Sequence, residues 1–320
     1  MKNSFSRLIP WSLGDALMTD DDGPDAGSRE RTASPPPRIC LPDGGQDEKS
    51  TADESLDSAD ALPVDTHDNG SDSDQVGSGT TYKQTDIGGK RDTNEDSVLC
   101  RAFEEVGYHL IAVADGMGGH EGGEIASQTA LDAVEESITT ALSESETDRE
   151  HLLEDGTRRA HEAVVEMTEA NNFHREPGTT LITALLDGDD AVISNVGDSR
   201  AYVYDGSLSQ VTTDQTQVQQ LVEAGELDPE DAEDHRYSHV LLQAIGTADD
   251  LYVEISERSL AGGRLLLCSD GLTDAVSDDV IEETLETSST IGDAGSTLID
   301  RALAAGASDN VTLALYEVVE

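Results

Sequence analysis

The hydrophobic pattern of this chain is sparse at first and dense later. From residue 19 to about residue 80, large apolar side chains are thinly scattered among Asp, Ser, Gly and Pro. Such a stretch buries too little surface to offset the entropy of ordering it, so residues 1–80 are expected to form a disordered acidic tail. A short apolar segment at 7–18, holding Trp11, interrupts that tail. It reads either as a loosely packed end or as a docking segment. Order is expected from near Tyr82, with one domain over 81–320.

Inside that domain the period of the apolar positions keeps switching. Strands are expected at Val98–Phe103 and Tyr108–Ala114 around a turn at 104–107. A helix starting near Glu124 follows, with Ala126, Ala130, Ala133, Val134 and Ile138 on one face. Leu153, Ala160, Val164 and Met167 mark a second helix over Arg149–Asn171. Alternation then returns at Thr180–Leu186 and Ala191–Val196, joined by Asp187-Gly188-Asp189-Asp190, and at Ala201–Tyr204 and Leu208–Val211, joined by Asp205-Gly206. Short helices are expected at 214–224 and 229–234, and strands at Leu251–Ser256 and Arg264–Cys268. Helices at Asp278–Thr287 and Ala294–Ala305 come next, the second stopped by Gly306, before a last strand at Val311–Val318. Strands fall in hairpins and helices fall in pairs, which predicts an α+β fold with two antiparallel sheets face to face and helix pairs outside.

Composition adds a second theme. The 320 residues carry 68 Asp and Glu against 19 Lys and Arg, a formal charge of −49. The lysines are Lys2, Lys49, Lys83 and Lys90. This charge repels nucleic acid and anionic membranes, and neither is expected as a partner. Acids spread along the whole chain suit a protein kept hydrated in concentrated salt, a halophile's surface; an acidic protein that meets a basic partner is the competing reading. No run of 18 apolar residues predicts a membrane span. Cys40, Cys100 and Cys268 form an odd set without metal-ligand spacing, which favours a reducing, cytoplasmic setting. Cys268 follows Leu265-Leu266-Leu267 and reads as a buried, inert thiol.

The candidate chemistry is acidic. Asp96, Asp115, Asp270 and Asp309 each sit where an apolar strand stops or a loop begins, beside Gly, Ser or Asn, and Asp198 in Gly197-Asp198-Ser199-Arg200 does the same. Any one alone reads as a capping or turn residue. Asp115 is followed by Gly116-Met117-Gly118-Gly119, which is either a cradle letting carbonyls approach a ligand or a turn before a helix. If the sheet ends converge, the crowded carboxylates demand cations. All-oxygen donors select Mg²⁺ or Mn²⁺. A pair of such ions roughly 3.5–4 Å apart is a recurring device for phosphate-ester hydrolysis.

The ordered series Arg91-x-x-Asn94-Glu95-Asp96-Ser97, Asp115-Gly116-Met117-Gly118-Gly119-His120, Gly178-Thr179-Thr180, Gly197-Asp198-Ser199-Arg200, Leu267-Cys268-Ser269-Asp270-Gly271-Leu272 and Asp309-Asn310-Val311-Thr312 closely resembles the metal-dependent protein phosphatase family, PPM or PP2C, over about residues 82–320. The resemblance implies an α-β-β-α sandwich and phosphoserine/phosphothreonine protein phosphatase activity on phosphorylated proteins, opposing Ser/Thr kinases, by a monomer. It implies that Asp115 bridges two Mg²⁺ or Mn²⁺ ions, that the Gly116 carbonyl binds one, and that Asp270 and Asp309 complete the pair. It implies that Glu95 and Asp96 hold metal-bound water or lie just behind it, and that Arg91 binds phosphate. Asp198 with Asp270 matches a third-metal position. The expected reaction is direct displacement by a metal-bridged hydroxide. The alternative is a non-catalytic, phosphoprotein-binding member of the same fold. The chain departs from the family pattern at Met117, where some members carry a histidine, at Thr213-Asp214-Gln215-Thr216, and around Ser238–Gln243; the last two lie in a flap at 212–246 that bears on substrate choice.

Overall fold

Runs such as Leu181–Leu186, buried at every position, need apolar cover on both faces. The computed structural model supplies that cover. It describes residues 75–76, 79–119, 121–171, 173, 175–232, 235–247 and 251–319. The expected disordered tail with its segment at 7–18, and His120, lie outside the described residues.

The chain opens with strands β1 (Gln75–Val76), β2 (Gly79–Asp86), β3 (Asp96–Phe103) and β4 (Tyr108–Met117). Helices α1 (Glu121–Ser143) and α2 (Arg149–Ala170) follow. Next come β5 (Gly178–Thr179), β6 (Leu181–Asp187), β7 (Asp190–Val196), β8 (Arg200–Tyr204) and β9 (Leu208–Gln210). Then come α3 (Gln217–Glu223), a 3₁₀ turn at Pro229–Asp231, β10 (Glu254–Ser259) and β11 (Arg264–Cys268). The short α4 (Asp270–Thr273), α5 (Asp278–Thr287), α6 (Ile291–Ala305) and β12 (Val311–Val318) end the described chain.

One sheet runs β1-β2-β12-β11-β8-β9 and the other β10-β7-β6-β4-β3, with β5 added to the end of β4. Every strand pair is antiparallel. Because side chains alternate across a strand, β4 sends Ile111 and Val113 to one face and Leu110, Ala112 and Ala114 to the other. The first set meets Ile182, Ala184, Ala201, Val203, Leu265, Leu267, Ala314 and Tyr316 between the sheets. The second packs with Leu131, Val134, Ile138, Leu153 and Val164 of α1 and α2. On the far side Leu266, Cys268, Leu313 and Leu315 pack against Ile281, Leu285, Leu298 and Ile299 of α5 and α6. The α-β-β-α sandwich expected from the pattern is what the chain forms. Hydroxyls join helix to sheet and strand to strand: Ser194 on β7 contacts Thr157 of α2 at 3.0 Å and Thr183 of neighbouring β6 at 2.6 Å.

Helix ends follow local chemistry. Asp148 accepts from the His151 amide at the start of α2, and Thr290 accepts from the Asp293 amide at the start of α6. Gly306 ends α6 in the left-handed conformation at φ 86°, as its position predicted.

Several boundaries differ from the sequence pattern. The strand expected at Leu251–Ser256 lies at Glu254–Ser259, because its ladder partner β7 sets the register, Glu254 opposite Asn195 through Ser259 opposite Asp190. The expected helix at 214–224 shrinks to Gln217–Glu223, since Thr216 caps it by accepting from the Gln219 amide. The expected helix at 229–234 is a 3₁₀ turn over Pro229–Asp231. β2, polar enough to have been passed over as a strand, forms because it pairs along its whole length with β12. Asp96 and Asp115 are not beyond strand ends: they lie within β3 and β4, directly opposite one another.

Replacing Ile182, which is 0% exposed between the sheets, with Ala is expected to cost about 2–5 kcal/mol by denaturant unfolding. Val106→Ala, in an exposed turn, is expected to stay within about 0.5 kcal/mol.

Candidate active site

The carboxylates gather at one end of the sandwich, where five chain segments of the two sheets end or begin. β3 and β4 contribute Asp96 and Asp115 side by side in register. Asp198 follows β7, Asp270 opens α4 just after β11, and Asp309 immediately precedes Asn310 and β12. Each is near enough to perturb others. Burial raises the Asp115 carboxyl well above its ordinary range, and the charges of Asp96, Asp270, Asp198 and Asp309 raise it further. Burial pushes Asp96 up to about 7, with Asp270 and Asp309 adding to the rise. Asp198 is pushed to about 7 by burial and by Asp270 and Asp214, and Asp270 to about 6 by burial and by Asp274 and Asp309. Like charges crowded in a water-poor site disfavour ionisation, and this is the electrostatic mark of a functional site.

A scaffold of hydrogen bonds holds the nest. The Asp115 amide donates to Thr180 Oγ1 at 2.9 Å, while Thr179 Oγ1 and the Thr180 amide both donate to the Asp115 carbonyl at 2.9 Å. Thr180 Oγ1 meets Ser199 Oγ at 2.8 Å, beside Asp198. Ser269 Oγ donates to Asp96 Oδ2 at 2.8 Å. Asn310 is the knot: its Oδ1 accepts from the Glu95 amide at 2.8 Å, and its Nδ2 donates to the Ile87 and Thr93 carbonyls at 2.9 and 3.1 Å. This ties the loop carrying Arg91 and Glu95 to the start of β12. Gly116 is packed so tightly between the Gly123 and Glu95 carbonyls that no Cβ fits. The glycine therefore serves close backbone packing within β4.

Arg91 stands at the exposed rim, its Nη2 2.5 Å from Asp309 Oδ2. An exposed pair of this kind is worth at most about 1 kcal/mol, so the guanidinium can trade it for a better anion at little cost. Deeper in, Arg200 forms a forked pair with Asp214, Nη2 to Oδ2 2.7 Å and Nε to Oδ1 3.1 Å, which anchors the end of the Asp198 loop.

The donor set fits a hard divalent cation. Among the described residues Asp270 Oδ1 is buried with no hydrogen-bond partner, although a buried carboxylate oxygen is costly to leave unsatisfied. Aspartate oxygens and a glycine carbonyl are the ligands Mg²⁺ or Mn²⁺ takes, and no cysteine or histidine of the expected set competes. Among residues the pattern singled out, Asp96, Asp115, Asp198, Asp270 and Asp309 converge. Buried Glu95 lies behind the nest against Gly123, and Arg91 lies on the rim. Sequence reasoning passed over four others. Asn310 stood in a quoted motif without a role. Asp214, Asp274 and His239 carried no strand-end signature, and only folding brings His239 Nδ1 to 3.9 Å from both Asp270 Oδ2 and Asp274 Oδ2.

A family model for protein phosphatase 2C matches residues 89–305. The chain belongs to the protein phosphatase 2C family. As a family member it is 37% identical over 241 residues to the serine/threonine protein phosphatase PstP of Mycobacterium tuberculosis, a match covering 74% of this chain and 44% of PstP. The chain thus spans under half the length of that relative. It is 36% identical over 241 residues to the serine/threonine phosphatase stp of Listeria monocytogenes, covering 73% of this chain and 94% of stp. The crystal structure of the M. tuberculosis PstP/Ppp phosphatase superposes with TM-score 0.69 at 35% identity, covering 76% of this chain and 100% of that one. The catalytic domain of PstP in complex with two manganese ions superposes with TM-score 0.65 at 35% identity, covering 76% and 99%.

The raised carboxyls make a pH prediction. Asp96 titrates near 7 when folded and about 3.9 when unfolded, so between those values the fold holds protons that the unfolded chain lacks. In EDTA, stability is expected to fall as pH rises through about 4 to about 7. Asp96→Asn should flatten part of that slope, read by thermal melts across the window.

Proposed function

We propose that this chain is a metal-dependent phosphatase that hydrolyses phosphoserine and phosphothreonine on proteins. The convergence of five aspartates around a buried oxygen without a partner, with a guanidinium at the rim, is the observation that carries this reading. The manganese-bound PstP catalytic domain supports it.

In this reading Asp115, the Gly116 carbonyl, Asp270 and Asp309 hold two divalent ions, Mg²⁺ or Mn²⁺. Asp198 with Asp270 offers a third position, and Asp96 and Glu95 line the same cradle. Bound there, such ions supply Lewis acidity for an attacking water and for phosphoryl charge. The chain's own residues do the rest. Arg91 exchanges Asp309 for the phosphoryl oxygens and orients them, since a planar fork suits a phosphate dianion. The Thr179, Thr180 and Asn310 bonds keep the acids from relaxing apart, so little reorganisation accompanies the charge change. Cys268 is buried and its thiol is pushed up to about 12, which leaves no thiolate to form a covalent intermediate. Direct displacement by water is the chemistry this reading assigns. Met117 has no proton to give, and in this reading water is the default donor to the leaving alcohol.

The finer context belongs to the same proposal. Substrates are phosphorylated proteins, and the opposing enzymes are Ser/Thr kinases. The working form is a monomer with a phosphatase domain at 81–320 following an acidic tail. The charge of −49 and four lysines support a concentrated-salt cytoplasm. Among the described residues no helix is long and apolar enough to cross a membrane.

Assays with p-nitrophenyl phosphate and a phosphothreonine peptide in concentrated salt are expected to show turnover with Mn²⁺ and none with EDTA. Asp115→Asn and Asp270→Asn should each remove nearly all of it; unchanged turnover in either would contradict the assigned roles. Phosphopeptide binding without hydrolysis by the wild-type chain would point instead to a non-catalytic binding protein. Arg91→Ala should raise KM more than it lowers kcat, because Arg91 positions phosphate in the ground state as well.

A further inference from the structure

Large apolar side chains are rarely exposed on this surface, and they are unevenly placed. Among the described residues, the exposed ones are Ile87, Val106, Ile125, Val240, Leu242 and Tyr252. Val240, Leu242 and Tyr252 belong to one hydrogen-bonded unit at the return of the flap. Gln243 Nε2 donates to the Tyr252 carbonyl at 2.5 Å, and the Tyr252 amide donates to Gln243 Oε1 at 2.9 Å. The Gln217 amide donates to the Val240 carbonyl and the Leu242 amide to the Gln215 carbonyl, both at 2.8 Å. Lone exposed apolar residues need no explanation, but three carried on segments tied together by these hydrogen bonds offer a ledge.

That ledge is continuous with the acidic nest. Val240 directly follows His239, whose Nδ1 is 3.9 Å from Asp270 Oδ2. Gln215 Oε1 accepts from the Gly197 amide at 2.8 Å, just before Asp198. Ile245 bridges to Thr179, which donates to the Asp115 carbonyl. Ile87 is also exposed, and its carbonyl accepts from Asn310 beside Asp309. An extended chain advances about 3.3–3.6 Å per residue. A phosphoresidue seated in the nest therefore carries neighbours two or three positions away roughly 7–11 Å outward, onto the rim. The adjoining flap is acidic: Glu223, Glu226, Asp228, Glu230 and Asp231 are exposed, and Arg236 is the one Lys or Arg between 212 and 246. A field of this sign repels acidic segments and draws basic ones.

We propose that Val240, Leu242 and Tyr252 are specificity-determining residues, forming a docking ledge for aliphatic or aromatic side chains that flank the phosphoresidue in a basic protein segment. This rests on the phosphatase reading above. An apolar contact of this size on a partly open surface is worth about 10-fold in kcat/KM. It is uniform binding, so it enters through KM and leaves kcat nearly unchanged.

The test uses the full chain with Mn²⁺ and four phosphothreonine peptides of equal length, the Leu and Gly peptides compared in concentrated salt and the Arg and Glu peptides at the lowest salt at which thermal melts show the chain folded, where the field of the flap is least screened. They carry Leu or Gly two and three positions from the phosphothreonine, crossed with Arg or Glu further out. The Leu/Arg peptide is expected to exceed the Gly/Arg peptide about 10-fold in kcat/KM, through KM, and the Leu/Glu peptide to fall well below Leu/Arg. In Leu242→Ser and, separately, Tyr252→Ser, the Leu-to-Gly ratio should shrink to within about twofold. Both side chains are exposed, and thermal melts check that each variant folds. Equal rates on Leu and Gly peptides by the wild-type chain would overturn the proposal, as would a preference that survives in both variants or one that favours Glu. Failure to hydrolyse any peptide or p-nitrophenyl phosphate would instead remove the phosphatase reading beneath it.

Discussion

Mutual repulsion among buried carboxylates is the constraint around which this molecule is arranged. Asp96, Asp115, Asp198 and Asp270 are held close enough, and dry enough, that each prefers its proton well above the ordinary carboxylate range. Left to itself such a cluster would spread into water. It is kept together because its members are set at the ends of sheets whose interiors are packed solid, from Ile111 and Ile182 on one side to Leu267 and Tyr316 on the other. Burial of apolar surface between two sheets thus sustains an electrostatically unfavourable arrangement at their edge. A divalent cation is the chemical group that turns this repulsion into binding energy.

The scaffold differs in stiffness from centre to rim. At the centre, main-chain and hydroxyl bonds from Thr179, Thr180, Ser269 and Asn310 leave the acids little freedom. At the rim the basic side chains are exposed and loosely held. Arg91 rests on a surface ion pair, and His239 reaches the nest only through long contacts. That gradient suits a site where charge compensation is built in beforehand and substrate groups are engaged on arrival. The flap joins the two regimes: Gln215 fastens its base to Gly197, while its acidic outer turns stay in solvent.

The architecture was legible from period alone, because a sandwich covered on both faces imposes alternation on its strands and a single apolar stripe on its helices. Gly306 announced the end of α6 for a purely local reason, since few residues other than glycine adopt its left-handed conformation readily. The strands that were misplaced or passed over are those whose existence depends on a partner. β2 is polar and is made a strand by β12, and β10 takes its register from β7. A ladder partner distant along the chain leaves no local trace.

The candidate site divides in the same way. Sequence by itself singled out the aspartates that converge, because Asp beside Gly, Ser or Asn at the margin of an apolar run is a local pattern, and five such margins in one order form a recognisable series. Only the tertiary structure decided that Asp96 and Asp115 face each other within paired strands, that Asn310 laces the Arg91 loop to β12, and that His239 and Asp274 stand beside Asp270. The reason is physical: residue type and local period are written along the chain, whereas the distance between two side chains is set by register and packing between segments that the chain order keeps far apart.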